Sequence, residues 1–259
     1  MAAYEKVSLA RHKDRAGTTD YIGKIFTHFV ELHGDRRFCD DKAVTGGIAL
    51  LFDIPVTVVG IERGKDLSER VKKNFGCAHP EGYRKAIRLF KQAEKFGRPV
   101  ICFVDTPGAY PGIGAEERGQ GQAIAESITE MLSLKVPTVS IITGEGGSGG
   151  ALALAAADEV WMLENAIYSV ISPEGCASIL WKDATKAKEA AECLKLTAQD
   201  LYSFGVVDRV FSEDKDFDAL CEEIKGALLE AVREKAALPK EELLDRRYQK
   251  FRRIGREFL

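Results

Sequence analysis

Pro137-Thr-Val-Ser-Ile-Ile-Thr143 runs into Gly144-Glu-Gly-Gly-Ser-Gly-Gly150, and that segment runs into Ala151-Leu-Ala-Leu-Ala-Ala-Ala157. A β-branched run, a glycine cluster and a small-residue stretch read in turn as strand, loop and helix. Where a strand feeds a helix through glycines, the first helical N–H groups lack acceptors and the helix dipole adds positive potential. That combination suits an anion. An ordinary turn needs one or two glycines for positive φ, so five within seven residues point to close approach of a ligand to the main chain. A tight turn combined with close helix packing is the alternative reading of the same residues.

Composition frames this loop. With 259 residues, 45% hydrophobic and 30% charged, the chain can bury a substantial core and is neither disordered nor fibrous. A formal charge of −3 gives no broad basic field, so nucleic acid is not an expected partner. The locally basic Arg246–Arg253 stretch reads as a solvated helix or a subunit contact. No apolar run approaches the ~20 residues of a membrane helix, and Met1-Ala-Ala-Tyr-Glu-Lys lacks the apolar core of a signal peptide. A cytoplasmic protein is expected. Cys39, Cys77, Cys102, Cys176, Cys193 and Cys221 form no C-x-x-C pair, and they read as buried reduced thiols rather than disulfides or zinc ligands.

Outward from the glycine loop, periodicity predicts an amphipathic helix from Tyr21 to about Leu32, capped by Thr19-Asp20 and stopped by Gly34. Val44–Leu51 and Pro55–Ile61 read as a hairpin or adjacent strands, and Glu81–Phe96 as a helix ended by Gly97. Pro99–Asp105 is expected as a buried strand, followed by helix Glu116–Leu134, strand Pro137–Thr143, helix Gly149–Ala157 and strand Glu159–Leu163. Helices over Pro173–Trp181, Ala184–Leu194 and Ala198–Phe204, a strand over Val206–Phe211 and a long helix over Phe217–Ala236 complete the pattern. Such alternation implies an α/β protein, with right-handed crossovers and a parallel sheet covered by helices. No linker divides residues 1–259, so a single domain is expected.

Asp105-Thr-Pro-Gly-Ala-Tyr-Pro-Gly-Ile-Gly-Ala-Glu-Glu-Arg-Gly119 also follows a buried strand and precedes a helix. Both glycine loops should therefore emerge at the same carboxyl edge. Two neighbouring loops rich in backbone donors suit an oxyanion hole, although Pro107, Pro111 and the glycines are also what a rigid surface turn would contain. Gly144-x-Gly146-x-x-Gly149 fits a dinucleotide fingerprint with Glu164 as the ribose-binding acid, which keeps a dinucleotide-dependent oxidoreductase open as an alternative. Glu164 lies closer to the last glycine than that fingerprint prefers. A P-loop fails because Ala151 stands where a cation is needed. Ser148 satisfies the letter of G-x-S-x-G, but further glycines inside the pattern suit backbone donors better than a presented nucleophile.

Several longer strings carry a more specific signal. Asn74-Phe-Gly with Pro80-Glu-Gly-Tyr-Arg-Lys-Ala, Asp105-Thr-Pro-Gly-Ala-Tyr-Pro-Gly, Gly114-Ala-Glu-Glu-Arg-Gly-Gln, Gly144–Ala153 and Tyr168-Ser-Val-Ile-Ser-Pro-Glu-Gly-Cys-Ala-Ser-Ile-Leu-Trp occur in that order. Together, from about Leu9 to Tyr248, they resemble the α-subunit family of bacterial acetyl-CoA carboxylase carboxyltransferases. Longer members carry an N-terminal helical extension that this sequence mostly lacks.

The resemblance implies a crotonase-type (ClpP-like) spiral of ββα units with helical N- and C-terminal segments. Its core would lie at about 40–212, between helical ends 1–39 and 213–259. It further implies an α2β2 assembly with a carboxyltransferase β subunit that carries a zinc ribbon, and no metal in this chain. A biotin carboxyl carrier protein would bring carboxybiotin, and biotin carboxylase would belong to the wider complex. The implied reaction moves a carboxyl group from biotin to acetyl-CoA and gives malonyl-CoA, the first committed step of fatty acid biosynthesis. By the same resemblance, Gly149 and Gly150 form a backbone oxyanion hole shaped by Gly146 and Gly147, while Gly108, Gly112, Ile113 and Ala151 meet substrate. Each well-placed donor in a dry site is worth about 3 kcal/mol in such chemistry. Glu116, Glu117 and Arg118 read either as loop-ordering or β-contacting residues or as plain helix caps. Ser172-Pro173-Glu174 reads as a helix start that could also line the biotin side. Lys65, Arg70, Lys72 and Lys73 read as a solvated face or as contacts to CoA phosphates.

Overall fold

The structure is a computed structural model that describes residues 2–256. Two short helices, α1 (Ala3–Ala10) and α2 (Thr18–Ile25), lead into strand β1 (Thr27–Glu31), the hairpin β2 (Val44–Leu51) and β3 (Ile54–Ile61), and helices α3 (Leu67–Lys72) and α4 (Pro80–Lys95). Strand β4 (Val100–Thr106) is followed by α5 (Ile113–Glu117) and α6 (Gln120–Ser133), then β5 (Thr138–Gly147), α7 (Ser148–Ala155), β6 (Glu159–Leu163) and β7 (Ile167–Ser169). The last third holds α8 (Pro173–Trp181), α9 (Ala187–Leu194), α10 (Ala198–Ser203), β8 (Arg209–Phe211), α11 (Phe217–Ala236) and α12 (Lys240–Arg253).

Among the described residues one sheet runs in the order β1-β2-β3-β4-β5-β6-β8, with β7 paired to β5. The α/β expectation holds, but the sheet is mixed. From β3 onward the pairs are parallel, as the alternation requires, whereas β1, β2 and β3 are antiparallel. The cause is local: the Phe52-Asp53 turn is too short for a crossover, so β2 must return beside β3. Strands β3, β4 and β5 are almost wholly buried, and the apolar runs Val56–Ile61, Val100–Val104 and Val139–Ile142 form the centre of the core.

The segment expected as one helix from Tyr21 to Leu32 divides instead. Helix α2 starts at Thr18, with Asp20 accepting the Gly17 N–H at 3.0 Å, and ends at Ile25, where Phe26 is already extended. Phe26-Thr-His-Phe-Val30 is rich in strand formers, and Gly47 lets the Val30 carbonyl approach where a Cβ would collide with it. The helix expected over Glu116–Leu134 breaks at Gly119, whose φ of +80° ends α5 before α6 begins. The strand expected from Val206 shrinks to Arg209–Phe211, because the Val206 and Val207 N–H groups close the end of α10 on the Leu201 carbonyl. The helix expected over Ala184–Leu194 opens as a 3-10 turn through Lys186.

The basic C-terminal stretch is a helix whose Arg246, Arg252 and Arg253 are solvated, as expected, but whose Arg247 and Lys250 turn inward. Arg247 is 2% exposed, its guanidinium bonds both Asp158 oxygens at 2.7 and 2.9 Å, and it caps the carbonyls of Met131, Leu132, Leu134 and Val136. Lys250 is buried beside it and pairs with Asp208. All six cysteines are unpaired; Cys102, Cys176 and Cys221 are buried as expected, whereas Cys39 and Cys193 are exposed. Burial pushes the Cys102 thiol up to about 12.

Candidate functional site: a backbone cradle at the carboxyl edge

Strands β4 and β5 lie side by side in parallel, with Val104 opposite Ile142, and after a break in register Thr106 stands opposite Gly146. The two glycine loops therefore emerge together, as the alternation of elements predicts. Their contact is main chain against main chain. A Cβ on Gly147 would strike the Pro107 carbonyl group, and one on Gly150 would lie 2.8 Å from Ala109 N and 2.9 Å from the Gly108 carbonyl carbon. These glycines are needed chiefly because no side chain fits between the segments.

The glycine run is not the loop the sequence suggests. Gly144 to Gly147 continue β5, and Glu145, Gly146 and Gly147 pair with Ile167, Tyr168 and Ser169 of β7. The dinucleotide fingerprint fails on this point, since two of its three glycines belong to a strand rather than to a phosphate-binding turn. Glu164 is occupied elsewhere, by Lys6 at 3.4 Å and the Ser212 hydroxyl at 3.1 Å. Ser148 alone makes the transition from strand to helix, in the left-handed region at φ +53°, which costs a non-glycine residue about 1–2 kcal/mol. Its side chain is exposed. His79 does not approach it as a base; its ring bonds Asn74 at 3.0 Å and stacks on Tyr110 with centroids 4.1 Å apart.

Helix α7 starts at Ser148 with no side-chain cap, so the N–H groups of Ser148, Gly149 and Gly150 have no intrahelical acceptor. Gly149 is partly exposed and Gly150 buried. Thr106 shapes the facing segment: its hydroxyl accepts the Gly108 N–H at 3.0 Å and lies 2.7 Å from the Gly76 carbonyl. Gly108 takes φ +144°. Of the other candidates, Gly112 forms the N-cap of α5 and Ile113 is 80% exposed, farther along the same loop. Ala151 is 0% exposed and points into the core, so its side chain lines no open surface.

Behind the glycine strand lies a charged cluster that sequence reasoning missed. Glu145, 4% exposed, receives the Arg11 guanidinium at 2.8 to 3.2 Å and is also bonded by Arg63. Arg63 donates to Asp105 at 3.1 Å, Asp105 accepts the Glu145 N–H at 2.9 Å, and Arg11 reaches Glu174 at 2.9 Å. Burial alone would raise the Glu145 carboxyl, but the bonds from Arg11 and the charge of Arg63 hold it below the ordinary range. For Asp105 burial prevails over Arg63 and the Glu145 N–H, and its pKa is raised. The only hint in the sequence is an acid set between glycines at a strand end; its partners lie far away in the chain.

Most of the remaining predicted side chains have partners within the fold. Arg118 pairs with Glu81 at 3.0 Å and stacks on Phe38, which is loop ordering, while Glu116 and Glu117 are exposed. Lys65 bonds Asp20 at 2.5 Å, Arg70 reaches the Gly64 and Lys13 carbonyls at 3.2 Å, and Lys73 pairs with Glu62; Lys72 is exposed. Ser172 caps α8 by accepting the Gly175 N–H at 3.1 Å, which supports the helix-start reading.

The model of a family described as acetyl co-enzyme A carboxylase carboxyltransferase-like matches residues 1–255. The chain belongs to this carboxyltransferase family. A relative from Ruminiclostridium cellulolyticum, the acetyl-coenzyme A carboxylase carboxyl transferase subunit alpha, is 62% identical over 98% of each chain. The expected function, carboxyltransferase subunit of acetyl-CoA carboxylase, agrees with that relationship. The fold is shared with other carboxyltransferase domains. A transcarboxylase 12S structure with methylmalonyl-coenzyme A bound superposes with a TM-score of 0.70 at 21% identity, over 85% of this chain and 42% of that one. A Pseudomonas malonate decarboxylase hetero-tetramer in complex with coenzyme A gives 0.68 at 18% identity, over 86% and 94%. The crotonase-type expectation is thereby met. Among the described residues of this carboxyltransferase chain, no helix is long and apolar enough to cross a membrane, and no cluster of His, Cys, Asp and Glu is arranged to hold a metal ion.

Proposed function

We propose that the junction of Gly147–Gly150 with Pro107–Ala109 is the oxyanion-stabilising half of an active site completed by a carboxyltransferase β subunit. The reaction transfers a carboxyl group from carboxybiotin, borne on a carrier protein, to acetyl-CoA. The observation that carries this reading is the uncapped start of α7, packed against a second backbone segment so closely that no side chain fits between them. A donor set of N–H groups fits an oxygen that gains negative charge and does not fit a cation.

Carboxybiotin supplies the carboxyl group and, once that has left, the base for the methyl proton of acetyl-CoA. The Gly149 and Gly150 N–H groups hold the ureido oxygen as charge builds there, and their fixed orientation removes the need for reorganisation during the reaction. Gly146 and Gly147 let β5 approach β7 and Pro107 closely enough to set that orientation. Gly108, Gly112 and Ile113 form the second wall. The β partner supplies the donors for the thioester oxygen, and because the biotin anion takes the methyl proton this reading asks no side-chain base of this chain. We read the chain as a single carboxyltransferase α domain in the cytoplasm, assembled as α2β2 and served by biotin carboxylase.

Gly150→Ala tests this reading. Co-expressed with the β partner and assayed on malonyl-CoA with free biotin, it should lose at least about 10²-fold in turnover, the scale of a lost oxyanion donor. The forced shift of Ala109 and Tyr83 should destabilise by about 1–3 kcal/mol without preventing assembly. Ser148→Ala should stay within twofold of the parent. Near-full turnover by Gly150→Ala, or its abolition in Ser148→Ala, would overturn the backbone-donor mechanism.

A further inference from the structure

Tyr83 lies in the first turns of α4 with its ring wholly buried. Its hydroxyl oxygen has no hydrogen-bond partner, one of two such buried side-chain atoms among the described residues; the other is Gln120 Oε1. The position a Gly150 Cβ would occupy is 2.8 Å from Tyr83 Oη, 2.8 Å from Ala109 N and 2.9 Å from the Gly108 carbonyl carbon. Tyr83 thus places a polar atom where the two backbone segments of the cradle meet. A phenylalanine would fill the ring's space without stranding a hydroxyl, and buried polar groups are ordinarily bonded. The neighbouring groups explain why it stays unpaired. The Gly108 N–H is taken by Thr106, and the Gly108 carbonyl oxygen lies 2.9 Å from the Thr106 hydroxyl. Of the peptide between Gly108 and Ala109, the Ala109 N–H is what remains.

We propose that Tyr83 is a positioning residue for the proposed oxyanion cradle: its hydroxyl is held unpaired so that it accepts the Ala109 N–H and steadies that peptide against Gly150 when the cradle holds an anionic oxygen. Tyr83 is shielded from solvent and acts through the peptide, so it does not touch substrate. Helix α4 is a rigid mount for this role, since the Glu81 carboxylate receives Arg118 and Lys85 is tied to Asp40 at 2.6 Å. The hydroxyl matters only in the loaded state, so its removal should be felt in turnover and not in folding.

This inference rests on Gly149–Gly150 being the cradle, and the experiment separates the two ideas. Tyr83→Phe, co-expressed with the β partner, is assayed on malonyl-CoA with free biotin and melted in parallel. We expect kcat to fall about tenfold, KM for malonyl-CoA to stay within twofold, and Tm to equal or exceed that of the parent. Unchanged kcat would show the hydroxyl to be idle. A lowered Tm together with lowered kcat would show an ordinary structural bond. Either result overturns the proposal. Gly150→Ala in the same assay decides the underlying reading: full turnover there removes the cradle, whereas a large loss there beside an unaffected Tyr83→Phe removes only the role of Tyr83.

Discussion

Strand β5 is fixed at both ends by buried charge, and the two ends are built differently. At its amino end Thr138 gives its N–H and hydroxyl to Asp158 at 2.7 and 2.9 Å, and Asp158 is clamped by Arg247. Arg247 and Lys250 balance Asp158 and Asp208, and the Arg247 donors also close on carbonyls, so one arrangement satisfies every group. At its carboxyl end Glu145, Asp105 and Glu174 outnumber Arg11 and Arg63. There, burial raises Asp105 while Arg11 and Arg63 hold Glu145 down, so two neighbouring carboxyls shift in opposite directions. The same strand is locked at the end away from the proposed cradle and held by a less evenly balanced cluster where the uncapped start of α7 follows.

Breaking the locked end should give the largest stability effect. Arg247→Leu leaves Asp158 as an uncompensated buried charge, which costs about 3–5 kcal/mol. Urea unfolding should show that loss, while turnover per folded α–β complex stays within twofold; a drop in turnover well beyond that would erase the distinction between the ends.

At the carboxyl end the balance should reverse. Glu145→Gln keeps the shape but strips Arg11 and Arg63 of their shared carboxylate. Stability should fall by about 1–3 kcal/mol and turnover by about tenfold, read from the same pair of measurements. Turnover indistinguishable from the parent would make Glu145 a structural residue of the same kind as Asp158.

The smallest effect sharpens the contrast through pH. The Glu145 and Glu174 carboxyls are both held below their ordinary values, burial being outweighed by the bonds from Arg11. A lowered folded pKa contributes stability that is complete above the unfolded value, about 4.3, and is lost as pH falls through the folded value. Asp105 works the other way: its raised pKa is unfavourable at neutral pH and is relieved on acidification, which blunts the total effect. Hydrogen exchange of the α1 amides should therefore be flat from pH 7 to about 5, once corrected for intrinsic rates, and show lost protection below about 4.3. In Arg11→Met the α1 amides should be less protected throughout and lack that acid step. An acid step of parental size in Arg11→Met would detach α1 from this cluster.

Much of this was legible in advance because it is periodic. The buried runs of β3, β4 and β5, the 3.6-residue pattern of α4 and α11, and the two glycine-bearing loops on one edge all follow from residue order alone. What was misread depends on distant partners. Thr27–Glu31 is a strand because Gly47 leaves room beside β2. Arg247 is buried because Asp158, nearly ninety residues earlier in the chain, is waiting for it. Gly144–Gly147 reads as a loop until β7, a three-residue strand too short to announce itself, pairs with it. Tyr83 looks like a core aromatic in the sequence, and only its position against Gly150 sets it apart.

β5 also changes neighbours partway along. Val139 to Ile142 pair with β6, and Glu145 to Gly147 pair with β7, so the sheet has a gap around Thr143 and Gly144. Arg15, from the link between α1 and α2, reaches in and bonds the Thr143 carbonyl, while its other end is held by Glu213 at 3.0 Å. A guanidinium here takes the place of a strand. The N-terminal link thus works as a patch on an interrupted ladder, giving a donor to a buried carbonyl that the gap leaves without a strand partner.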